Sequence, residues 1–294
     1  VEARIEKFYS DTRCKPEILD ESIKYSLKSG GKRFRPVIML ASADLVGATD
    51  CGVEDYALAL ELIHTYSLIH DDLPEMDNDD YRRGRPSNHK VFGAGNAVLA
   101  GDGLLNTAYY MLFERCEDGK LFADAAKFMC DCAGVKGMIA GQSADLYSAE
   151  KGIKDADILD FIVKNKTGKL ISAATAVPAI LAGGRYFPEL RQFGEDLGRL
   201  FQLTDDVLDE EGKFEKLGKT AGKDKDENKL TYVTFYGVDQ CRVLADIMCS
   251  RCLGILEGID GDTQFLRDIV NFVRYRDCLL YTSPSPRDPK TSSM

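Results

Sequence analysis

Leu68-Ile69-His70-Asp71-Asp72-Leu73-Pro74-Glu75-Met76-Asp77-Asn78-Asp79-Asp80 is the end of an apolar run that passes into five aspartates and a glutamate. Like charges a few Å apart repel, so such a cluster either points into water or gathers around something multivalent and positive. Solvation is the usual fate of a charge run. The residues before it point to a fold. Val53 to His70 carries apolar residues on every side of a helical period, too apolar for a surface helix, which predicts a long helix in the middle of a bundle. Pro74 predicts its end, because the ring disfavours helical geometry in the preceding residue.

A second cluster, Gln202-Leu203-Thr204-Asp205-Asp206-Val207-Leu208-Asp209, follows another stretch of helical periodicity. It places Asp205 and Asp209 at i, i+4 on one helix face, with Asp206 beside them. Two aspartate clusters, each at the end of an apolar helical run, predict the two jaws of a metal site. Carboxylates with room for retained water suit Mg²⁺. A calcium loop is excluded: counted from Asp77, the sixth position is Arg82 rather than Gly and the twelfth is Asn88 rather than Glu. His64, His70 and His89 near the first cluster leave a His/Asp transition-metal site open, although a lone His on an apolar helix is more often packed and hydrogen-bonded. Cys249-Ser250-Arg251-Cys252 has zinc-ligand spacing but no second pair and no nearby His.

The whole chain fits this picture. Its 294 residues are 44% hydrophobic and 29% charged, the composition of a globular chain. A net charge of -10 and a pI near 5.0 exclude a nucleic-acid backbone as partner, because that affinity comes from clustered Lys and Arg. No apolar run approaches the roughly 18 to 20 residues of a membrane span, and no signal pattern opens the chain. Nine scattered cysteines without a framework rhythm fit a reducing compartment, and a cytoplasmic location is expected.

Apolar spacing predicts helices at 2–9, 17–28, from Pro36 through Leu45, and at 53–70, about 94–116, 120–147, 155–182, 188–209, 229–236 and 238–275. Strand alternation with turn signals is absent, so the fold class is all-α. No Pro, Ser or Gly linker divides residues 1–276, which predicts one domain. Val1 in place of Met is read as a few residues missing in front. Arg274 and Arg276 close the helical part, and residues 277–294, rich in Pro and Ser, read as a non-native or disordered tail.

Basic clusters accompany the acidic ones. Gly30-Gly31-Lys32-Arg33-Phe34-Arg35-Pro36 joins flexible glycines to three cations before a helix start, where free backbone N–H groups favour anions. Gly-Gly before Lys and Arg is also how a helix ends and turns. Arg82-Arg83-Gly84-Arg85 follows the first acidic cluster; Lys166-Thr167-Gly168-Lys169 and the basic loop from Lys213 through Lys219 and Lys223 to Lys229 repeat the arrangement. Acid for metal beside base for phosphate, twice over, predicts a polyanionic, metal-bound substrate.

These residues carry a resemblance to the trans-prenyl diphosphate synthases, most of all to the bacterial-type farnesyl diphosphate synthases, over about residues 5–276. Asp71-Asp72-Leu73-Pro74-Glu75-Met76-Asp77 resembles the family's first aspartate-rich motif in its form with two extra residues, and Asp205-Asp206-Val207-Leu208-Asp209 the second. Gly30 to Pro36, Asn96 to Asp102, Gly141-Gln142 with Asp145, Lys166-Thr167-Gly168 and Phe201-Gln202 also fall where the family has them. The resemblance implies a helical bundle with a deep central cavity, a homodimer, and head-to-tail condensation of isopentenyl diphosphate with an allylic diphosphate, dimethylallyl or geranyl. It implies three Mg²⁺ ions held by Asp71, Asp77 and Asp205, with Asp72, Asp206 and Asp209 in support. Arg82, Lys166, Thr167, Gln202, Lys219 and Lys229 match positions that hold the allylic diphosphate or stabilise the cation; Lys32, Arg35, His64 and Arg83 match those that hold isopentenyl diphosphate. Asp71, Asp72, Arg82, Lys166, Asp205 and Lys219 are the catalytic set so implied.

Tyr66, five residues before Asp71, lies about 7.5 Å down the helix from the metal end. In the family, an aromatic there together with the two-residue insertion goes with a fifteen-carbon product. A packed core aromatic is the plainer reading of Tyr66. Ser67, the next position, is too small to block a chain. A longer-chain synthase is the close alternative. A non-catalytic partner subunit would usually have lost an aspartate motif, and this chain keeps both.

Overall fold

The computed structural model describes residues 1–11, 14–49, 51–211 and 229–279. The all-α expectation holds. In chain order the helices are α1 Glu2–Asp11, α2 Glu17–Leu27, α3 Phe34–Val46, α4 Val53–Asp71, α5 Asn88–Phe92, α6 Ala94–Cys116, α7 Lys120–Ala133, α8 Met138–Lys151, α9 Ala156–Ile162, α10 Lys169–Leu181, α11 Phe187–Glu211, α12 Tyr232–Tyr236, α13 Val238–Glu257 and α14 Gln264–Leu279. A π-helical turn, Val163–Gly168, joins α9 to α10.

The apolar composition of α4 has the predicted consequence: it runs through the bundle against α3, α6 and α10, burying residues on all sides, among them Tyr56, Leu60 and Ile63. Glu54 and Asp55 in its first turn complement the positive end of the helix. Beside it α10 is buried along nearly its whole length. Its Ala173, Ala174, Ala176 and Ala179 leave room for α3, α7 and α11 to approach closely. Among the described residues no helix is long and apolar enough to cross a membrane.

Glycine divides two of the predicted helices. The stretch 120–147 breaks at Gly134 and Gly137: a Cβ on Gly137 would lie 2.0 Å from the Cys132 carbonyl oxygen, so the chain turns there as only glycine allows. The stretch 238–275 breaks between Glu257 and Gln264, where Gly261 takes a φ of 128°. Strands, which the sequence pattern did not show, occur as a two-residue ladder pairing Tyr81 with Pro86 and Arg82 with Arg85. Arg83 and Gly84 at its tip have φ of 55° and 74°, the left-handed pair of a tight hairpin turn. The ladder is too short for apolar alternation to register. The tail beginning at 277 lies outside the described residues from 280 onward.

Candidate active site

The first acidic cluster folds back on the end of α4. The backbone N–H of Asp77 donates to the Asp71 carbonyl (2.8 Å) and that of Asn78 to the Leu73 carbonyl (3.0 Å), with Asn78 in the left-handed region at φ 47°. This loop sets Asp77 beside Asp71. Burial pushes the Asp71 carboxyl up, with Lys166 pulling against it and Asp77 adding to the rise. Burial also works on Asp77, but Lys166 and Lys229 outweigh it and hold that carboxyl below its ordinary range. Lys229 Nζ stands 3.1 Å from Asp77. Lys166 is half-buried yet held above its ordinary range, because Asp71, Asp145 and Asp77 surround it; its Nζ donates to Asp145 at 2.6 Å.

Asp72, one residue and about 100° further round the helix, takes another course. Only 2% exposed, it turns off the cavity and accepts from Arg82 Nε (2.9 Å) and Nη2. Burial pushes its carboxyl up to about 6 against the pull of Arg82. Expected among the catalytic groups, Asp72 is placed as the anchor of Arg82. The motif spacing does not reveal this, because both aspartates look alike in sequence.

The second cluster divides in the same way. Asp205 on α11 faces the cavity, while Asp206 is buried and accepts from Gln202 Nε2 (2.8 Å) and the Tyr232 N–H (2.8 Å). Thr167 donates to Gln202 at 2.8 Å, tying the π-turn to the same network. Asp209 is buried. By the family resemblance Arg274 and Arg276 stand at the point where bacterial members begin a short basic tail that closes over the isopentenyl diphosphate site, which does not foretell the partners of Arg276. Beyond a kink at Tyr275 its Nη2 reaches Asp205 (2.6 Å), Thr204 Oγ1 (3.0 Å) and the Phe201 carbonyl (3.3 Å), and its guanidinium lies 4.7 Å over the Phe201 ring.

Of the three cations between Gly30 and Pro36, one is not available to an anion. Arg33 is 6% exposed and bound to Glu61 (2.8 Å), Glu2 (2.6 Å) and the Leu27 carbonyl (2.6 Å), so it holds helices together. Arg35 contacts His64 Nε2 through Nη1 at 3.1 Å, and its buried Nε has no protein partner. Burial lowers the Arg35 pKa to about 10, and burial with the neighbouring Arg35 drives His64 well below its ordinary range. His64 is therefore neutral and accepts from Arg35. Arg83 donates to the Gly30 carbonyl, and Lys32 is exposed with Nζ 4.8 Å from the Phe272 ring centre. Lys169 turns away onto Glu195 (3.0 Å). Lys219 lies outside the described residues.

One cavity of about 840 Å³ joins these parts. Arg35, His64, Tyr66, Ser67, Asp71, Lys166, Thr167, Gln202 and Asp205 line it; Lys32, Asp72, Asp77, Arg82, Arg83 and Lys229 stand outside that lining. Its body is apolar, with Leu105, Met138, Ile139, Leu146 and Leu170. Tyr66 is 6% exposed and meets His70 edge-to-face at 5.6 Å; the Ser67 hydroxyl is spent on the His64 carbonyl (2.9 Å). The donors suit Mg²⁺. Among the described residues no three His, Cys, Asp or Glu groups close into a cage, and Mg²⁺ needs only one or two carboxylates completed by water and phosphate oxygens.

A polar rim of opposed carboxylates and cations over an apolar well is what a diphosphate with a hydrocarbon tail requires. The sequence pattern of the polyprenyl synthetase family matches residues 16–252. The chain belongs to that family. It is 43% identical over 268 residues to a farnesyl diphosphate synthase of Geobacillus stearothermophilus, covering 89% of this chain and 90% of the relative. It is 40% identical over 269 residues to geranylgeranyl pyrophosphate synthase 4 of Arabidopsis thaliana, covering 89% and 72%. In structure it superposes with a TM-score of 0.80, at 31% identity and over 95% of each chain, on a Helicobacter pylori geranyltransferase complexed with magnesium and isoprenyl diphosphate. Its activity is that of a trans-prenyl diphosphate synthase acting on isoprenyl diphosphates in isoprenoid biosynthesis.

Proposed function

We propose that the chain condenses isopentenyl diphosphate with dimethylallyl or geranyl diphosphate and releases farnesyl diphosphate. The observation that carries this reading is one cavity with Asp71 and Asp205 at its polar rim, Arg35 and His64 beside them, and Tyr66 in its apolar wall. Mg²⁺, three ions with substrate bound, supplies the charge that makes diphosphate a leaving group. Asp71, Asp77 and Asp205 would hold it. Lys166 and Arg82 reach the allylic diphosphate, Thr167 and Gln202 orient the π-turn beside it, and Lys229 steadies Asp77. Arg35, whose buried Nε still lacks an acceptor, holds isopentenyl diphosphate with Lys32, Arg83 and neutral His64. The apolar body excludes water from the allylic cation. The departing diphosphate, rather than a side chain, takes the proton.

Product length rests on Tyr66. Its ring, set edge-to-face against His70, is the floor against which the growing chain stops. Incubation with isopentenyl and geranyl diphosphates and Mg²⁺, followed by chromatography of the dephosphorylated products, should give fifteen carbons, and Tyr66→Ala should give twenty or more. Truncating a buried aromatic costs about 3–5 kcal/mol, so melting is followed alongside. Twenty carbons from the wild type would favour a geranylgeranyl diphosphate synthase, the activity named for the Arabidopsis relative. An unchanged product from a folded Tyr66→Ala would remove Tyr66 from the role.

We also propose a homodimer. Leu99, Tyr110 and Phe113 on α6 are 56%, 62% and 74% exposed, large apolar side chains on one helix that a second copy of the chain would cover. Sedimentation of the purified protein tests this: a species of about twice 32.6 kDa is expected.

A further inference from the structure

Lys166 approaches the first jaw from an unusual piece of backbone. The π-turn Val163–Gly168 is gripped between two helices with no side chain interposed at either contact. On one side is Gly141 of α8: a Cβ there would lie 2.2 Å from Lys166 N, 2.7 Å from Lys166 Cα and 2.8 Å from the Asn165 carbonyl carbon. On the other is Gly198 of α11, whose Cβ would lie 2.6 Å from Gly168 Cα and 3.2 Å from Gly168 N. All of these are backbone atoms, so no rotamer change relieves the overlap.

Each glycine has a polar residue four positions on, one turn along the same helix face. Asp145 follows Gly141 and accepts from Lys166 (2.6 Å); Gln202 follows Gly198 and accepts from Thr167 (2.8 Å). Within the turn, buried Asn165 gives Nδ2 to the Phe161 carbonyl (2.8 Å), a side-chain donor where the change from α to π bonding alters the backbone ladder.

We infer that Gly141 and Gly198 are positioning residues. They let α8 and α11 close directly on the π-turn and so fix how far Lys166 advances toward Asp71 and Asp77. The inference rests on the reading of Lys166 as a ligand of the allylic diphosphate. A methyl group at either glycine displaces the turn, and a misplacement on the order of 1 Å at a reacting centre costs about 10²-fold in rate.

The test is a double-mutant cycle on the full-length enzyme. Gly141→Ala and Gly198→Ala should each lower kcat about 10²-fold. Added to Lys166→Ala, either should change kcat by less than about threefold, because coupled residues are not additive. Gly194→Ala is the packing control: its Cβ would lie 2.3 Å from Thr175 Oγ1 and 2.5 Å from Ser172 Cα, an overlap as severe but outside the π-turn. It should lower Tm comparably and spare most of kcat. Additive effects with Lys166→Ala, or an equal kcat loss in Gly194→Ala at equal Tm, would overturn the inference while leaving the role of Lys166 intact. An unchanged kcat in Lys166→Ala alone would overturn the assignment of Lys166, and the inference with it. Should the alanine variants fail to fold, Asn165→Ala removes the carbonyl cap without adding an atom. It must then show the same non-additivity with Lys166→Ala, and additivity there rejects the inference.

Discussion

The two jaws of the site each open on Asp-Asp and close on a third aspartate, yet they build different structures. The first is a loop that doubles back so that two carboxylates, Asp71 and Asp77, stand together beneath Lys166 and Lys229. The second is an unbroken helix that offers one carboxylate, Asp205, already met by Arg276. What they share is a division of labour within each Asp-Asp pair. The first aspartate faces the cavity; the second, about 100° further round the helix, is buried and anchors something else, Arg82 for Asp72 and the Gln202–Tyr232 network for Asp206. A doubled aspartate thus gives one carboxylate to the cavity and one to the packing around it.

The largest expected effects break the jaws one at a time. Asp71→Asn and Asp205→Asn should each lower the Mg²⁺-dependent kcat by about 10² to 10³, or about 3–4 kcal/mol of transition-state stabilisation, with little change in melting. If either variant kept most of its activity, the jaws would not be equivalent and the weaker one would lose its metal assignment.

The next tests concern the buried partners. Asp72→Asn and Asp206→Asn should cost about 1.5–3 kcal/mol of stability, the range for hydrogen bonds to a charged group, visible in denaturant melts. Their kcat losses should be smaller than those of Asp71→Asn and Asp205→Asn. A full catalytic loss in Asp72→Asn at unchanged stability would end the division of labour in the first pair.

A smaller effect separates the jaws by their cations. If Asp205 holds metal as proposed, Arg276 must give it up first, but the Asp205 side chain is 47% exposed, and ion pairs open to water are worth about 0.2–1 kcal/mol. Arg276→Gln should therefore tighten Mn²⁺ binding to the substrate-free protein only a few-fold, as read by electron paramagnetic resonance. The gain should vanish in Arg276→Gln/Asp205→Asn and persist in Arg276→Gln/Asp71→Asn.

The smallest effect belongs to His64. Its folded pKa is well below that of an unfolded His near 6.5, so in the window below about pH 6.5 the unfolded chain binds the extra proton. Stability from this group is present above that window and is lost as pH falls through it. His64→Gln, which can still accept from Arg35, should flatten the decline in urea stability between pH 7.5 and 5.5. An identical decline in both proteins would show that His64 takes up its proton as readily in the fold as in the unfolded chain.

Periodicity alone determined a good deal of this molecule. The length and burial of α4, the all-α class and the two acidic ends of apolar helices follow from spacing that any single helix must obey, because a helix's own geometry decides which residues share a face. The specific motifs carried the family. What sequence could not decide was the fate of residues that look alike in a string. Arg33 and Arg35 are two positions apart, yet one is buried on Glu61 and Glu2 and the other keeps a buried donor at the cavity, because Glu61 on α4 and Glu2 on α1 arrive from elsewhere in the chain. Asp71 and Asp72 part for the same reason, one toward Lys166 and the other toward Arg82. Glycines 141 and 198 carry no chemistry of their own, and their use emerges only when α8 and α11 close on the π-turn. Local spacing sets which way a side chain leaves its helix; only packed neighbours determine what it meets there.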